Sequence, residues 1–178
     1  MLRKLFASIV LILATFLCVN AQATKAKPAA LGFEMTALDG AKLDMSALRG
    51  KVVVLDFWST GCPPCVAELP KLNTLVDEFA GKDVVFIAPT WDDEATIKSF
   101  LTDQPFKYHI VAGAMKQIME SCSDGEGHIV IPTHYLINQD GFVETRSVGG
   151  FGYDGTMTVD EFRAGIKRLL ETPLKKKQ

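Results

Sequence analysis

Asp56-Phe57-Trp58-Ser59-Thr60-Gly61-Cys62-Pro63-Pro64-Cys65 joins two segments of different character. Val52, Val53, Val54 and Leu55 run into it without a polar break, the pattern of a strand buried on both faces. From Cys65 onward the apolar residues return as Leu69, Leu72, Val76 and Phe79, one face of a helix expected to end at Gly81. The two cysteines therefore fall where a strand turns into a helix. A helix start presents unpaired N–H groups and the positive end of the macrodipole, and both favour a thiolate over a thiol. Thiol–disulfide exchange is the chemistry this placement points to. Cys62, nearer the terminus, is the expected attacking sulfur, and Cys65 the one that resolves the mixed disulfide.

Residues 84–88 form a second apolar run after the helix, so strand, helix and strand make a right-handed βαβ unit. Its site lies at the carboxyl end of the first strand, where open α/β sheets place their chemistry. Upstream, Phe33, Met35 and Ala37 alternate with polar neighbours up to Asp39-Gly40, and residues 42–44 resume beyond, which reads as a small hairpin. Ser46 is a candidate cap for a short turn ending at Gly50. Downstream, Asp92-Asp93-Glu94 opens a helix carrying Ile97, Phe100 and Leu101, and a short helix is expected over residues 114–120. Residues 121–128 read as a loop that contains Cys122. Residues 135–138 and 142–147 flank Gln139-Asp140-Gly141 as a hairpin, and Thr158-Val159-Asp160-Glu161 has the spacing of a capping box before a last helix that stops ahead of Pro173.

The 178 residues, 48% hydrophobic and 22% charged, fit one globular domain, expected over residues 31–172. Arg3 and Lys4, an apolar run over residues 5–19 and Ala21-Gln22-Ala23 have the layout of a secretory signal peptide over residues 1–23. That run is shorter than the roughly 20 residues a spanning helix needs. Leu17 stands before Cys18 where a lipidation signal would carry a small residue. Residues 24–30 read as a flexible leader and 173–178 as a basic tail. Without residues 1–23 the chain keeps 17 Lys and Arg against 21 Asp and Glu, a net of −4, which is not the balance of a nucleic-acid-binding protein. The three cysteines left, Cys62, Cys65 and Cys122, are an odd number, so a purely structural disulfide framework does not account for them. A metal site would have to recruit Cys122, His109, His128 or His134 from scattered positions. No cofactor is implied by any of these patterns.

Asp56 is the second chemical signal. A carboxylate inside a buried strand is costly, and one in a dry setting is more basic than one in water. It is the expected acceptor of the Cys65 proton during resolution; a purely structural pairing, with Lys51 for example, is the competing reading.

The residues Val54-Leu55-Asp56-Phe57-Trp58, Cys62-x-x-Cys65, Pro70 and Ile131-Pro132-Thr133 together resemble thioredoxin. With Phe33 to Asp39-Gly40, Leu48-Arg49-Gly50-Lys51, Cys65-x-x-Glu68-x-Pro70 and Tyr135-Leu136-Ile137-x-x-Asp140-Gly141, the chain is similar to the TlpA-like, ResA-like branch of exported redoxins over nearly its whole length beyond Leu31. The resemblance implies an α/β thioredoxin fold, a central mixed sheet extended by an N-terminal β-hairpin. It implies a cis-Pro132 opposite the disulfide, an Ile131 backbone that pairs with an extended partner segment, and a Trp58 that flanks the site. Trp58, Gly61, Pro63, Pro64, Ile131 and Pro132 are thus the expected partner-contact residues. Gly61 departs from the family's usual pattern, which has Trp immediately before the first cysteine. The implied partners are disulfide- or dithiol-containing envelope proteins, among them apocytochromes, and an upstream membrane electron donor. A copper chaperone and a peroxidase share parts of this pattern, but the peroxidase motif wants proline where this chain has Leu55.

Overall fold

The computed structural model describes residues 34–122, 130–152 and 157–172. The expected signal peptide, leader and basic tail lie outside them. In chain order the elements are β1 (Glu34–Thr36), β2 (Lys42–Asp44), β3 (Val52–Phe57), α1 (Pro63–Glu78), β4 (Val84–Pro89), α2 (Glu94–Leu101), β5 (His109–Val111), α3 (Met115–Cys122), β6 (Thr133–Ile137), β7 (Val143–Val148) and α4 (Val159–Glu171). β1 and β2 pair as a separate hairpin, and the other five strands form one mixed sheet in the order β5-β4-β3-β6-β7. This is the expected α/β architecture with its hairpin extension.

All six residues of β3 are buried, because the strand has a hydrophobic layer on each side. Val52, Val54 and the following Trp58 pack with Leu69, Leu72 and Leu75 of α1 and with Phe162, Ile166 and Leu169 of α4. Val53, Leu55 and Phe57 pack the other way, with Met115 and Ile118 of α3 and Leu43 of the hairpin. Each such side chain taken fully from water contributes about 1.5–3 kcal/mol. β3 pairs in parallel with β4, Val52 opposite Val84, and antiparallel with β6, which sets Asp56 opposite His134 and Phe57 opposite Thr133.

α1 starts at Pro63, two residues earlier than the apolar spacing suggests. Pro63 and Pro64 occupy N1 and N2, where a missing N–H breaks no helical bond and the proline ring presets φ. β5 has no counterpart in the sequence reading: a three-residue edge strand is too short to show a period. It pairs with β4, and Leu38 N–H donates to Ile110 C=O at 2.9 Å, which docks the N-terminal hairpin on the sheet. Asp44, not Ser46, closes the turn after β2, accepting from Ser46 N–H at 2.7 Å and Ser46 Oγ at 2.9 Å. α3 continues through Cys122, so the backbone there is helical rather than loop; residues 123–129 lie outside the described residues. The capping box forms as expected: Thr158 Oγ1 accepts from Glu161 N–H at 3.2 Å, and Glu161 Oε2 accepts from Thr158 N–H at 2.8 Å.

Candidate active site

Cys62 is the N-cap of α1, and its Sγ accepts from the Cys65 backbone N–H at 3.3 Å. With prolines at N1 and N2, Cys65 supplies the one N–H of the first three helical positions. The two sulfurs form a disulfide, with Cα atoms 5.3 Å apart. Cys62 is 8% exposed and Cys65 2%, so the cysteine nearer the helix end is also the more exposed residue.

The turn that carries Cys62 is stapled to the loop after β4. Asp92 accepts from Thr60 N–H at 2.7 Å and from Ser59 Oγ at 3.2 Å, while Ser59 Oγ accepts from Gly61 N–H at 3.2 Å. Trp91, the residue before Asp92, is half exposed. Gly61 is not forced by space, because a Cβ there would meet only Ser59 Oγ, at 3.9 Å. Trp58 is corrected from a flanking contact to a core residue: it has no exposed surface, and its indole packs against Phe106 at 5.2 Å and Phe100 at 5.6 Å. It follows β3 directly and keeps that strand's inward alternation.

On the other side, the Ile131–Pro132 peptide is cis. Val130 just before it is exposed, Ile131 is half-buried, and Thr133 Oγ1 donates to Val130 C=O at 2.7 Å to close the bend. Gly150 approaches from the end of β7 with φ +91°, and a Cβ there would stand 2.9 Å from Glu68 Oε1 and 3.3 Å from Pro132 Cγ. Only glycine fits that approach.

Asp56 is 1% exposed and points into the layer that holds both cysteines, as Val54 and Trp58 do. Its neighbour is His134, with Nδ1 3.0 Å from Asp56 Oδ1, an ion-pair distance whose angles do not make a hydrogen bond. Lys51 pairs instead with Asp83 at 3.0 Å. His134 Nε2 faces Glu68 Oε2 at 3.1 Å, and Glu68 Oε1 accepts from Phe151 N–H. Burial by itself pushes the imidazolium toward the neutral form, but the charges of Asp56 and Glu68 outweigh it and hold the His134 pKa up at about 9. Burial, reinforced by Asp56 and Glu68, drives the Tyr108 phenol the opposite way from ionisation, well above its ordinary value.

Glu68, His134 and Asp92 are site residues that the sequence reading did not assign. Glu68 lies on the buried face of α1, three residues past Cys65, the same kind of signal that marked Asp56. His134 is offered by the sequence only as a candidate metal ligand. It is engaged by two carboxylates, and His109 Nδ1 lies 2.6 Å from Asp39 Oδ2, so neither histidine turns toward the cysteines as a ligand. Among the described residues no group of three or more His, Cys, Asp and Glu could hold a metal ion.

A mixed α/β sheet with a Cys-x-x-Cys disulfide at a helix start and a cis-proline strand beside it defines a dithiol protein of the thioredoxin fold. Residues 20–164 match the Redoxin family, and the chain belongs to it. It is 34% identical over 118 residues to the thiol-disulfide oxidoreductase ResA of Bacillus cereus, covering 66% of each chain. It is 31% identical over 139 residues to ResA of Halalkalibacterium halodurans, covering 78% of this chain and 75% of that one. The chain thus spans just under two thirds of the length of the Bacillus relative. The thiol:disulfide interchange protein of Chlorobium tepidum superposes with a TM-score of 0.68 at 23% identity, over 83% of this chain and 99% of that one, and so shares the fold.

Proposed function

We propose that this chain is an exported thiol–disulfide oxidoreductase that reduces disulfides of envelope proteins. The observation that carries the reading is the Cys62–Cys65 disulfide capping α1, its more exposed cysteine on the helix end, with Asp56 buried on the same side of the sheet. In the reduced chain the Cys62 thiolate attacks one sulfur of a partner disulfide, and the partner's other sulfur departs as a thiolate with the bonding pair. Asp56 then takes the proton of Cys65, whose sulfur attacks Cys62. The Cys62–partner bond breaks, the Cys62–Cys65 bond forms, and two electrons have passed to the partner.

A membrane electron donor that reduces Cys62–Cys65 completes the cycle. Ile131, next to cis-Pro132, offers main-chain groups to an extended partner segment. Trp91, next to the Asp92 that holds the cysteine turn, and Val130, next to the cis-proline bend, are exposed apolar residues for a partner to contact. The sequence layout of residues 1–23 supports export, and apocytochromes are among the proposed partners. Among the described residues no helix is long and apolar enough to cross a membrane.

The test is the reduction potential of Cys62–Cys65, measured against a glutathione or thioredoxin couple. A value near about −270 mV, where thioredoxin lies, is the expected result; one near about −120 mV, the range of a strong oxidant, overturns the reductant assignment.

A further inference from the structure

His134 takes no part in the exchange chemistry written above, yet it is the most thoroughly buried charged group beside the cysteines. Its side chain has no exposed surface. One ring face lies against Phe151, with centroids 4.0 Å apart and planes 6° from parallel, and Phe162 closes in at 6.0 Å. Three elements meet at this ring. β3 brings Asp56, α1 brings Glu68 from one turn past Cys65, and β6 brings His134 itself from two residues past cis-Pro132.

A neutral imidazole carries one N–H and can satisfy one carboxylate; an imidazolium carries two and can face both. Asp56 and Glu68, buried in one layer without a cation between them, would repel. With Glu68 hydrogen-bonded to Nε2 at 3.1 Å and Asp56 at ion-pair distance from Nδ1, 3.0 Å, a charged ring between the two carboxylates offsets that repulsion. The pKa of about 9 agrees with that geometry. The titratable groups that face this unit are Asp56 from β3, Glu68 from α1 and Tyr108 from the segment before β5, together with Cys62 and Cys65 once reduced; β7 sets uncharged Ser147 opposite His134. Glu68 is the most open of the three, its side chain 10% exposed against 2% for Asp56 and none for His134.

We propose that His134 is a positioning residue for the exchange reaction, joining Asp56 and Glu68 into one buried proton-holding unit whose protonation is coupled to the redox state of Cys62–Cys65. When Cys65 attacks the mixed disulfide, its proton passes to the Asp56 carboxylate, its electron pair forms the new S–S bond, and the partner sulfur leaves with the pair of the old one. The imidazolium stands beside Asp56 throughout and faces Glu68, through which the unit meets solvent. When a donor dithiol reduces the disulfide, the same unit returns a proton to the departing Cys65 sulfur. This rests on the dithiol reading above but goes beyond it, since that reading requires only Asp56.

The experiment follows the His134 imidazole of the full chain by NMR between pH 5 and 11, in the disulfide form and in the chemically reduced form, with His134→Gln used to assign the signal. The expected result is a midpoint near 9 in the disulfide form and a higher one in the reduced form, because a thiolate adds negative charge nearby. In parallel, rapid-quench kinetics of His134→Gln should show the resolving step slowed at least tenfold, the initial attack by Cys62 unchanged, and the limb near pH 9 lost from the rate profile. Equal midpoints in the two redox forms, or a His134→Gln profile that matches the wild type, overturn the proposal. If His134→Gln does not fold, the wild-type signal, assigned by elimination against His109→Gln and His128→Gln, decides alone. Failure of the underlying reading is distinct: it appears as a wild-type chain whose cysteines do not exchange with glutathione at all.

Discussion

Trp58, held between Phe100 and Phe106 with no exposed surface, acts on folding when it is replaced. Trp58→Ala is expected to lower stability by about 3–5 kcal/mol in urea denaturation, the range for emptying a large aromatic site. KM for a partner protein should stay the same wherever the variant is folded. Asp56→Asn tests the acceptor role: the resolving step should slow about 100-fold, the lower range for general-base catalysis, with mixed disulfide accumulating in rapid-quench experiments. An unchanged rate with a lowered His134 pKa would leave Asp56 only as that histidine's counter-ion. Asp56 could be picked out of the sequence because a charge interrupts an apolar run. Glu68 carries the same mark on the apolar face of a helix. His134 does not, since what makes it a site residue is the carboxylate opposite it on another strand, and pairing register is invisible without the fold.

At the scale of elements, the start of α1 controls the sulfur chemistry through very few donors. Pro63 and Pro64 remove two of the first N–H groups, so Cys62 Sγ has the Cys65 N–H at 3.3 Å and the dipole of a 16-residue helix. Pro64→Ala returns an N–H at N2, a position whose donor reaches an N-cap acceptor. An added bond of about 1.5 kcal/mol to the thiolate should make the potential less negative by roughly 30 mV, measured by equilibration with glutathione. No change would place the new N–H off the sulfur. Apolar spacing alone starts this helix at Cys65. Prolines at N1 and N2 are helix-compatible at that end alone, which the spacing does not report.

Across the whole molecule, the raised His134 pKa ties folding to pH. The folded value is about 9 and the ordinary one 6.5, so the charged histidine favours the folded state most fully below pH 6.5 and loses that effect as pH rises through 9. Urea midpoints of the disulfide form should therefore fall between pH 7 and pH 9.5, and the fall should shrink in His134→Gln. A flat wild-type curve over that window would place the histidine outside the ionic arrangement. The architecture itself could be read from β3, α1 and β4, whose periods are long enough to separate strand from helix. β5 and the docking of the N-terminal hairpin through Ile110 could not, because they rest on a few main-chain bonds. The partner of the buried Asp56 carboxylate is chosen by main-chain pairing of the two central strands, not by the cysteine motif. Grafting Cys-Pro-Pro-Cys onto another scaffold would thus transplant the sulfurs and leave their proton chemistry behind, whereas a recipient given matched residues at both strand positions would inherit it.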